Sequence, residues 1–157
     1  MEQLKPRQLD IMQNLAKMLG EKGPVKITTS LLSKECGITE AAIYRHFPSK
    51  RKIYSGLVDF CEKSIFDLIA NINSSEGDEL EKTKKILILI VTFSEKNPGL
   101  ARLLTREAFS VDETSLDERI GQMMSKIELL IKQNLQKYEQ ETKKKLELPT
   151  ASAANLL

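Results

Sequence analysis

Apolar residues recur along the chain at spacings of three and four, and the pattern predicts a succession of helices. Between Lys5 and Glu21 they fall at Leu9, Ile11, Leu15, Met18 and Leu19, mostly one face of a 3.6-residue repeat. Gly23-Pro24 is expected to end this segment. Thr28 and Thr29 offer N-cap hydroxyls to a short second helix through Glu35. Gly37 breaks that helix, and Thr39 is placed to cap a third one running to about Phe47. Pro48 stops the third, because the residue before a proline is pushed out of the helical region. Ser49 can cap a longer fourth helix, whose stripe is Ile53, Leu57, Phe60, Cys61, Ile65, Leu68 and Ile72.

Ser74-Ser75-Glu76-Gly77-Asp78 reads as a loop. The next segment, Asp78 to Lys96, contains ILILIV, which periodicity alone fits to a buried strand as well as a helix. The absence of Gly and Pro favours a helix, and so long an apolar run predicts burial on most of its sides. Asn97 is expected to cap a short sixth helix with Pro98 as its first residue, carrying Leu100, Leu103 and Leu104. Ser115-x-x-Glu118 fits a capping box. It would open a seventh helix bearing Leu116, Ile120, Met123, Ile127, Leu130, Ile131, Leu135 and Tyr138. The KKK at 143–145 reads as a solvated end, Pro149 as a break, and ASAANLL as the start of another amphipathic helix. The expected fold class is therefore all-α.

Composition narrows the function classes. The 157 residues are 41% hydrophobic and 29% charged, enough for one sizeable core. The longest apolar run, Ile86 to Val91, is far short of the roughly 20 residues of a membrane span. MEQLKPRQLD carries no apolar signal core, so a cytoplasmic protein is expected. The net charge of +2 conceals an asymmetry. Residues 1–55 hold 10 Lys/Arg against 5 Asp/Glu, and residues 56–157 hold 14 against 17. A basic first third fits either an anionic partner such as nucleic acid or a solvated surface. Cys36 and Cys61 lie in apolar segments and read as buried small hydrophobes. With His46 the sole histidine, neither a metal site nor a nucleophile–base–acid set can be assembled. No enzyme activity, metal or cofactor is expected.

The sharpest signal is TTSLLSKECGITEAAIYRHF, residues 28–47. Two short helices joined at a glycine, the second opened by a capping Thr, match a DNA-binding helix-turn-helix. An ordinary two-helix corner fits the same pattern. Leu32 and Cys36 share a face, Ile38 follows the turn, and Ile43 with Phe47 forms an i,i+4 pair. Small Ser33 would allow the helices close approach, and Gly37 would supply a positive φ. Thr39, Ala41, Ala42, Tyr44 and Arg45 are left on the outer face of the second helix. There Thr and Ala suit thymine methyls and Arg suits guanine, while Tyr, Ser and Lys suit phosphates.

The stretch ITTSLLSKECGITEAAIYRHFPSKRKIYSGLV, with its ending Tyr44-Arg45-His46-Phe47-Pro48-Ser49-Lys50, resembles the N-terminal domain of TetR-family regulators. TEAAIYRHFPSK is similar to SEAALYRHFPSK of one branch, the nucleoid occlusion factors, and FSEKNPGLARLLT at 93–105 is also similar to that branch. The likeness runs from about Leu9 to Tyr138. It implies a three-helix DNA-binding head over residues 1–50 and a helical regulatory and dimerisation domain over 51–157. It also implies a nucleoid-associated, homodimeric protein that binds palindromic duplex DNA and antagonises polymers of the tubulin-like division protein FtsZ.

By position, the resemblance assigns Thr28, Thr29, Thr39, Ala41, Ala42, Tyr44, Arg45, His46, Ser49 and Lys50 to DNA. Arg45 or Thr39 is expected on bases, and Tyr44, His46 and Lys50 on phosphates. The FtsZ tail would dock between the fourth and fifth helices at Phe60, Leu68, Leu89, Thr92, Lys96 and Asn97. An acidic, apolar tail suits an apolar groove with a cationic rim. Thr92 stands where the branch tends to have Gly, and Leu68 where it tends to have Arg. Relatives usually continue for about two more helices, which form the dimer interface, so a chain ending at Leu157 is expected to expose apolar surface. The alternative role is a transcriptional repressor released from its operator by a small molecule. The aromatic-poor body and ILILIV speak against a roomy ligand pocket.

Overall fold

The structure, a computed structural model, describes residues 5–21, 27–105 and 114–146. Seven helices are present among them: α1 Pro6–Glu21, α2 Thr29–Glu35, α3 Glu40–His46, α4 Lys50–Asn73, α5 Glu79–Lys96, α6 Pro98–Leu104 and α7 Thr114–Thr142. No strand occurs in the described residues, so the all-α expectation and the helical reading of ILILIV hold. The expected stop at Gly23-Pro24, the break at Pro149 and the helix over 151–157 lie outside the described residues.

Local chemistry explains most of the boundaries. Thr28, Thr39, Ser49 and Asp78 each accept a hydrogen bond from the backbone N–H three residues on, which satisfies one of the orphan donors of a helix start. Two expected caps fail. Asn97 makes no side-chain cap: its amide nitrogen donates backwards to the Phe93 carbonyl at 2.9 Å. Ser115 lies inside α7, so no capping box opens there, and its hydroxyl accepts from Arg51 instead.

Burial follows the stripes into two connected cores. The first joins Ile11, Leu15 and Met18 of α1, Leu32 of α2, Ile43 of α3 and Ile53 to Cys61 of α4 with Leu100, Leu103, Leu116 and Ile120. The second packs Ile65 and Ile69 of α4 against Ile86 of α5 and Ile127, Ile131 and Leu135 of α7. Each such buried aliphatic side chain contributes about 1.5–3 kcal/mol. Cys61 is fully buried, and burial pushes its thiol up to about 12. Cys36 is only half-buried, contrary to the reading of both as core residues, because it closes α2 at the rim of the head.

α5 departs most from expectation. Ile86 is buried, but Ile88 is 65% exposed and Val91 58% exposed. An unbroken apolar run passes around the whole helix, whereas the neighbouring helices cover only part of it.

Ion pairs further tie α7 to the other helices. Arg119 reaches Ser55 at 2.9 Å and also pairs with Asp59, while Lys126 meets Glu62 at 2.7 Å. At the far end the buried Glu79 carboxylate takes Lys137 at 2.7 Å and Lys82 at 3.1 Å.

α1 and α6 cross very closely. A Cβ on Gly99 would lie 1.8 Å from the Ala16 carbonyl oxygen, and Gly20 faces the Gly99 nitrogen. Arg102 then donates to the Leu19 carbonyl at 3.0 Å. The first three helices are thus joined to the body at α6 as well as through α4.

Candidate nucleic-acid interface

The α2–α3 unit is held by a short, well-bonded turn. Gly37 adopts φ +63°, a left-handed value that costs glycine nothing. The Gly37 N–H donates to the Lys34 carbonyl at 3.1 Å, and the Ile38 N–H donates to Ser33 at 3.0 Å. Ser33 is buried, with its hydroxyl turned back onto the Ser30 carbonyl at 2.9 Å. Leu32, Ile43 and Phe47 are buried beneath the turn, so packing fixes which face of α3 points outward.

That outward face carries Thr39, Glu40, Ala41, Tyr44 and Arg45, all exposed, with Ala42 half-buried. Arg45 has no ion pair among the described residues and is free to reach an acceptor. Tyr44 is 46% exposed, and its hydroxyl donates to Thr29 at 3.2 Å, locking α3 against the start of α2. His46 is half-buried, and its carbonyl accepts from Gln8 at 3.2 Å. Lys50 lies 5.3 Å from the centroid of the Tyr54 ring, which steadies its ammonium at the start of α4. Thr28, Thr39 and Ser49 are occupied as acceptors by capping, but each hydroxyl keeps its O–H for donation to an external oxygen.

Gln8 was not legible as part of this surface. It lies 38 positions before His46 in the chain, and no local pattern joins the two. Arg51, a further cation beside the set, is turned aside to Ser115 of α7.

The six residues expected to form a peptide groove are only partly brought together. Phe60, Lys96 and Asn97 line one cleft of about 520 Å³, together with Met12 and Ala16 of α1 and Leu57 of α4. Leu68 is 42% exposed on α4, two turns beyond Phe60. Leu89 and Thr92 are half-buried on the face of α5 that carries Lys96, and Leu89 packs against the second core. A second, more apolar cavity of about 550 Å³ lies among Ile65, Ile90, Phe93, Leu104, Met124 and Ile127. The body therefore does contain a roomy recess, against the expectation drawn from its composition.

No group of three metal-ligating side chains occurs among the described residues. No described helix is long and apolar enough to cross a membrane.

Residues 11–57 match the family described as bacterial regulatory proteins, tetR family. Residues 77–157 match the tetracyclin repressor-like C-terminal domain of SlmA-like type. The chain is 44% identical over 133 residues to the nucleoid occlusion factor SlmA of Aliivibrio fischeri, covering 83% of this chain and 68% of that protein. With the nucleoid occlusion factor SlmA of Shewanella woodyi it shares 42% identity over 151 residues, covering 96% and 77%. The chain belongs to the SlmA family of TetR-type proteins.

Solved structures share the fold of this SlmA-family chain at low identity. A TetR-family transcriptional regulator from Agrobacterium tumefaciens superposes with a TM-score of 0.79 at 19% identity, covering 96% of this chain and 80% of that one. The fatty acid degradation regulator FadR from Bacillus halodurans gives 0.75 at 20%, covering 99% and 79%. The SlmA-family and TetR-type proteins are regulators and occlusion factors, not enzymes. The two matched stretches flank most of α4, the helix that carries the first core into the second.

Proposed function

We propose that this chain is a nucleoid occlusion factor, which binds duplex DNA as a homodimer and restrains the division polymer over the chromosome by holding the FtsZ tail. The observation that carries the reading is the outward face of α3, in a chain of the SlmA family. Thr39, Ala41, Tyr44 and Arg45 stand clear of the core on a helix whose orientation is fixed by the Gly37 turn. Small residues let such a helix enter the major groove, where Arg45 reads guanine and the Thr and Ala side chains meet thymine methyls. Thr28, Thr29, Tyr44, His46, Ser49 and Lys50 serve the flanking phosphates. A second copy supplies the other half-site, one helical turn away.

The tail of FtsZ, an acidic and apolar peptide, suits the cleft at Phe60, Lys96 and Asn97 and its continuation along Leu68, Leu89 and Thr92. The two surfaces divide the role between them: DNA placement at α3, and capture of the division protein on α4 and α5.

The cavity among Ile90, Phe93 and Met124 favours a second reading, a repressor whose DNA affinity is set by a small apolar ligand. Its volume falls in the ordinary range for ligand sites. Titration of a labelled FtsZ tail peptide, with and without palindromic DNA, separates the two. Saturable peptide binding supports occlusion. DNA binding without peptide binding, abolished by a small apolar ligand, supports the repressor.

A further inference from the structure

We propose that Lys85 is a second cationic anchor for an acidic peptide held between α4 and α5, placed at the opposite end of the groove from Lys96. The inference rests on the peptide-binding reading above and adds a specificity-determining residue to it.

Successive residues turn by about 100° around an α-helix. Lys85, Leu89, Thr92 and Lys96 follow one another at spacings of four, three and four, so they form a single stripe along α5. Lys96, at one end of the stripe, faces Phe60 across the cleft. Phe60, Ser64 and Leu68 form the matching row on α4, at spacings of four.

α4 and α5 are joined by a short turn around Glu76 and pack against each other as antiparallel neighbours. Leu68 lies eight residues before Glu76 and Lys85 nine residues after it, so the two stand at about the same height. The row that starts at Phe60 and Lys96 therefore ends at Leu68 and Lys85. Leu68 is exposed but brings no charge to that end, and Lys85 does.

Both lysines are exposed, and neither has an ion pair among the described residues. Between them lie apolar and uncharged side chains. The two ammonium-bearing positions are separated by about 17 Å along the helix axis, from a rise of about 1.5 Å per residue. That distance corresponds to roughly five residues of extended peptide. The charge pattern selects an occupant with apolar side chains flanked by carboxylates, and it repels a basic one.

Lys84 provides the internal control. It is the neighbouring residue, equally charged and exposed, but it points about 100° away from the stripe.

The test titrates a labelled FtsZ tail peptide against the full chain and its Lys85→Glu, Lys85→Ala and Lys84→Glu variants. Circular dichroism verifies the fold of each. Lys85→Glu is expected to weaken binding about 3- to 10-fold and Lys85→Ala less, as for exposed ion pairs. The effect should shrink toward zero near 1 M salt, where the screening length falls to about 3 Å. Adding Leu68→Arg to Lys85→Ala should restore affinity, because it returns a cation to the same end of the groove. Equal loss in Lys84→Glu and Lys85→Glu, or no loss in Lys85→Glu, overturns the anchor while leaving the peptide reading intact. Failure of the unaltered chain to bind the peptide overturns both.

Discussion

Replacing Gly99 with alanine tests the close crossing of α1 and α6. Glycine-to-alanine changes within helices ordinarily stabilise by about 1 kcal/mol, because alanine is the better helix former. Here the sign reverses. The added Cβ would lie 1.8 Å from the Ala16 carbonyl oxygen and 2.8 Å from its carbon, and both are backbone atoms that no rotamer change can move. Carbon–oxygen contacts between helices settle no closer than about 3.3 Å, so α1 and α6 must part by about 1.5 Å at their crossing. That shift loosens the packing of α1 against Leu100 and Leu103 and stretches the Arg102 hydrogen bond to Leu19. Overpacking that no side-chain rotation can relieve sits at the upper end of the ordinary range, about 3 kcal/mol. With a urea m-value of about 2 kcal/mol/M, the unfolding midpoint should fall by roughly 1.5 M, followed by far-UV circular dichroism. Gly20→Ala is the companion variant. Its Cβ meets the Gly99 nitrogen at 3.2 Å and the Pro98 ring at 3.4 Å, so propensity and crowding nearly cancel and the midpoint should move by less than about 0.5 M. A Gly99→Ala protein as stable as the parent would refute the crossing itself.

Three further outcomes follow from the sites described. Glu79→Gln removes the carboxylate shared by Lys82 and Lys137, leaves Lys82 nearly buried without its partner, and should cost about 1–3 kcal/mol, read as a fall in Tm. Glu79 is held below the usual carboxylate range chiefly by the Lys137 hydrogen bond, against its burial. Its contribution is therefore complete above the unfolded carboxyl pKa of about 4.3 and fades as pH falls through the lower folded value, so the acid limb of stability should flatten in Glu79→Gln. Lys50→Glu should weaken binding to all DNA sequences alike and reduce the slope of log affinity against log salt by about 1; an unaltered slope would remove Lys50 from the phosphate contacts. Lys96→Glu should weaken FtsZ tail binding and leave DNA affinity in place, and loss of both would point to damage to the fold.

What could be read in the residues was mainly what is local. The helix-turn-helix was legible because every part of it is a short-range device: a capping Thr39, an i,i+4 pair at Ile43 and Phe47, and a glycine at the one left-handed turn position. The outward face of α3 followed by subtraction from that packing. Caps that depend on backbone direction were less legible. Asn97 sits at the right place in the sequence, but with φ −131° and ψ 64° its side chain turns back into α5. Ser115 has a suitable partner three residues on, yet α7 has already begun at Thr114. Long-range arrangements carried almost no signal. The Gly20–Gly99 crossing, the Glu79 clamp and the Gln8 contact to His46 join positions far apart in the chain, and nothing in the repeat of apolar residues says which helix will lie against which. The exposure of Ile88 and Val91 has the same origin: a run of apolar residues reports affinity for a core but not how many neighbours arrive to form one.

On the proposed reading, the placement of the cleft bears on how DNA and an FtsZ tail peptide influence each other. Met12 and Ala16 of α1 belong to the same helix that packs beneath α3, and they form one wall of the recess lined by Phe60 and Lys96. A peptide in that recess therefore touches the DNA-binding head directly, across a joint with no slack at Gly99. Any preference of the peptide for the DNA-bound arrangement of α1 must be matched by an equal gain in DNA affinity when peptide is present, since the coupling between two equilibria is reciprocal. Measuring both titrations gives the same factor twice if the influence passes through the protein between separate sites. Unequal factors would mean that the partners also bind each other off the protein or that the oligomeric state changes between the two titrations, and that would shift attention from the α1–α6 crossing to the assembly.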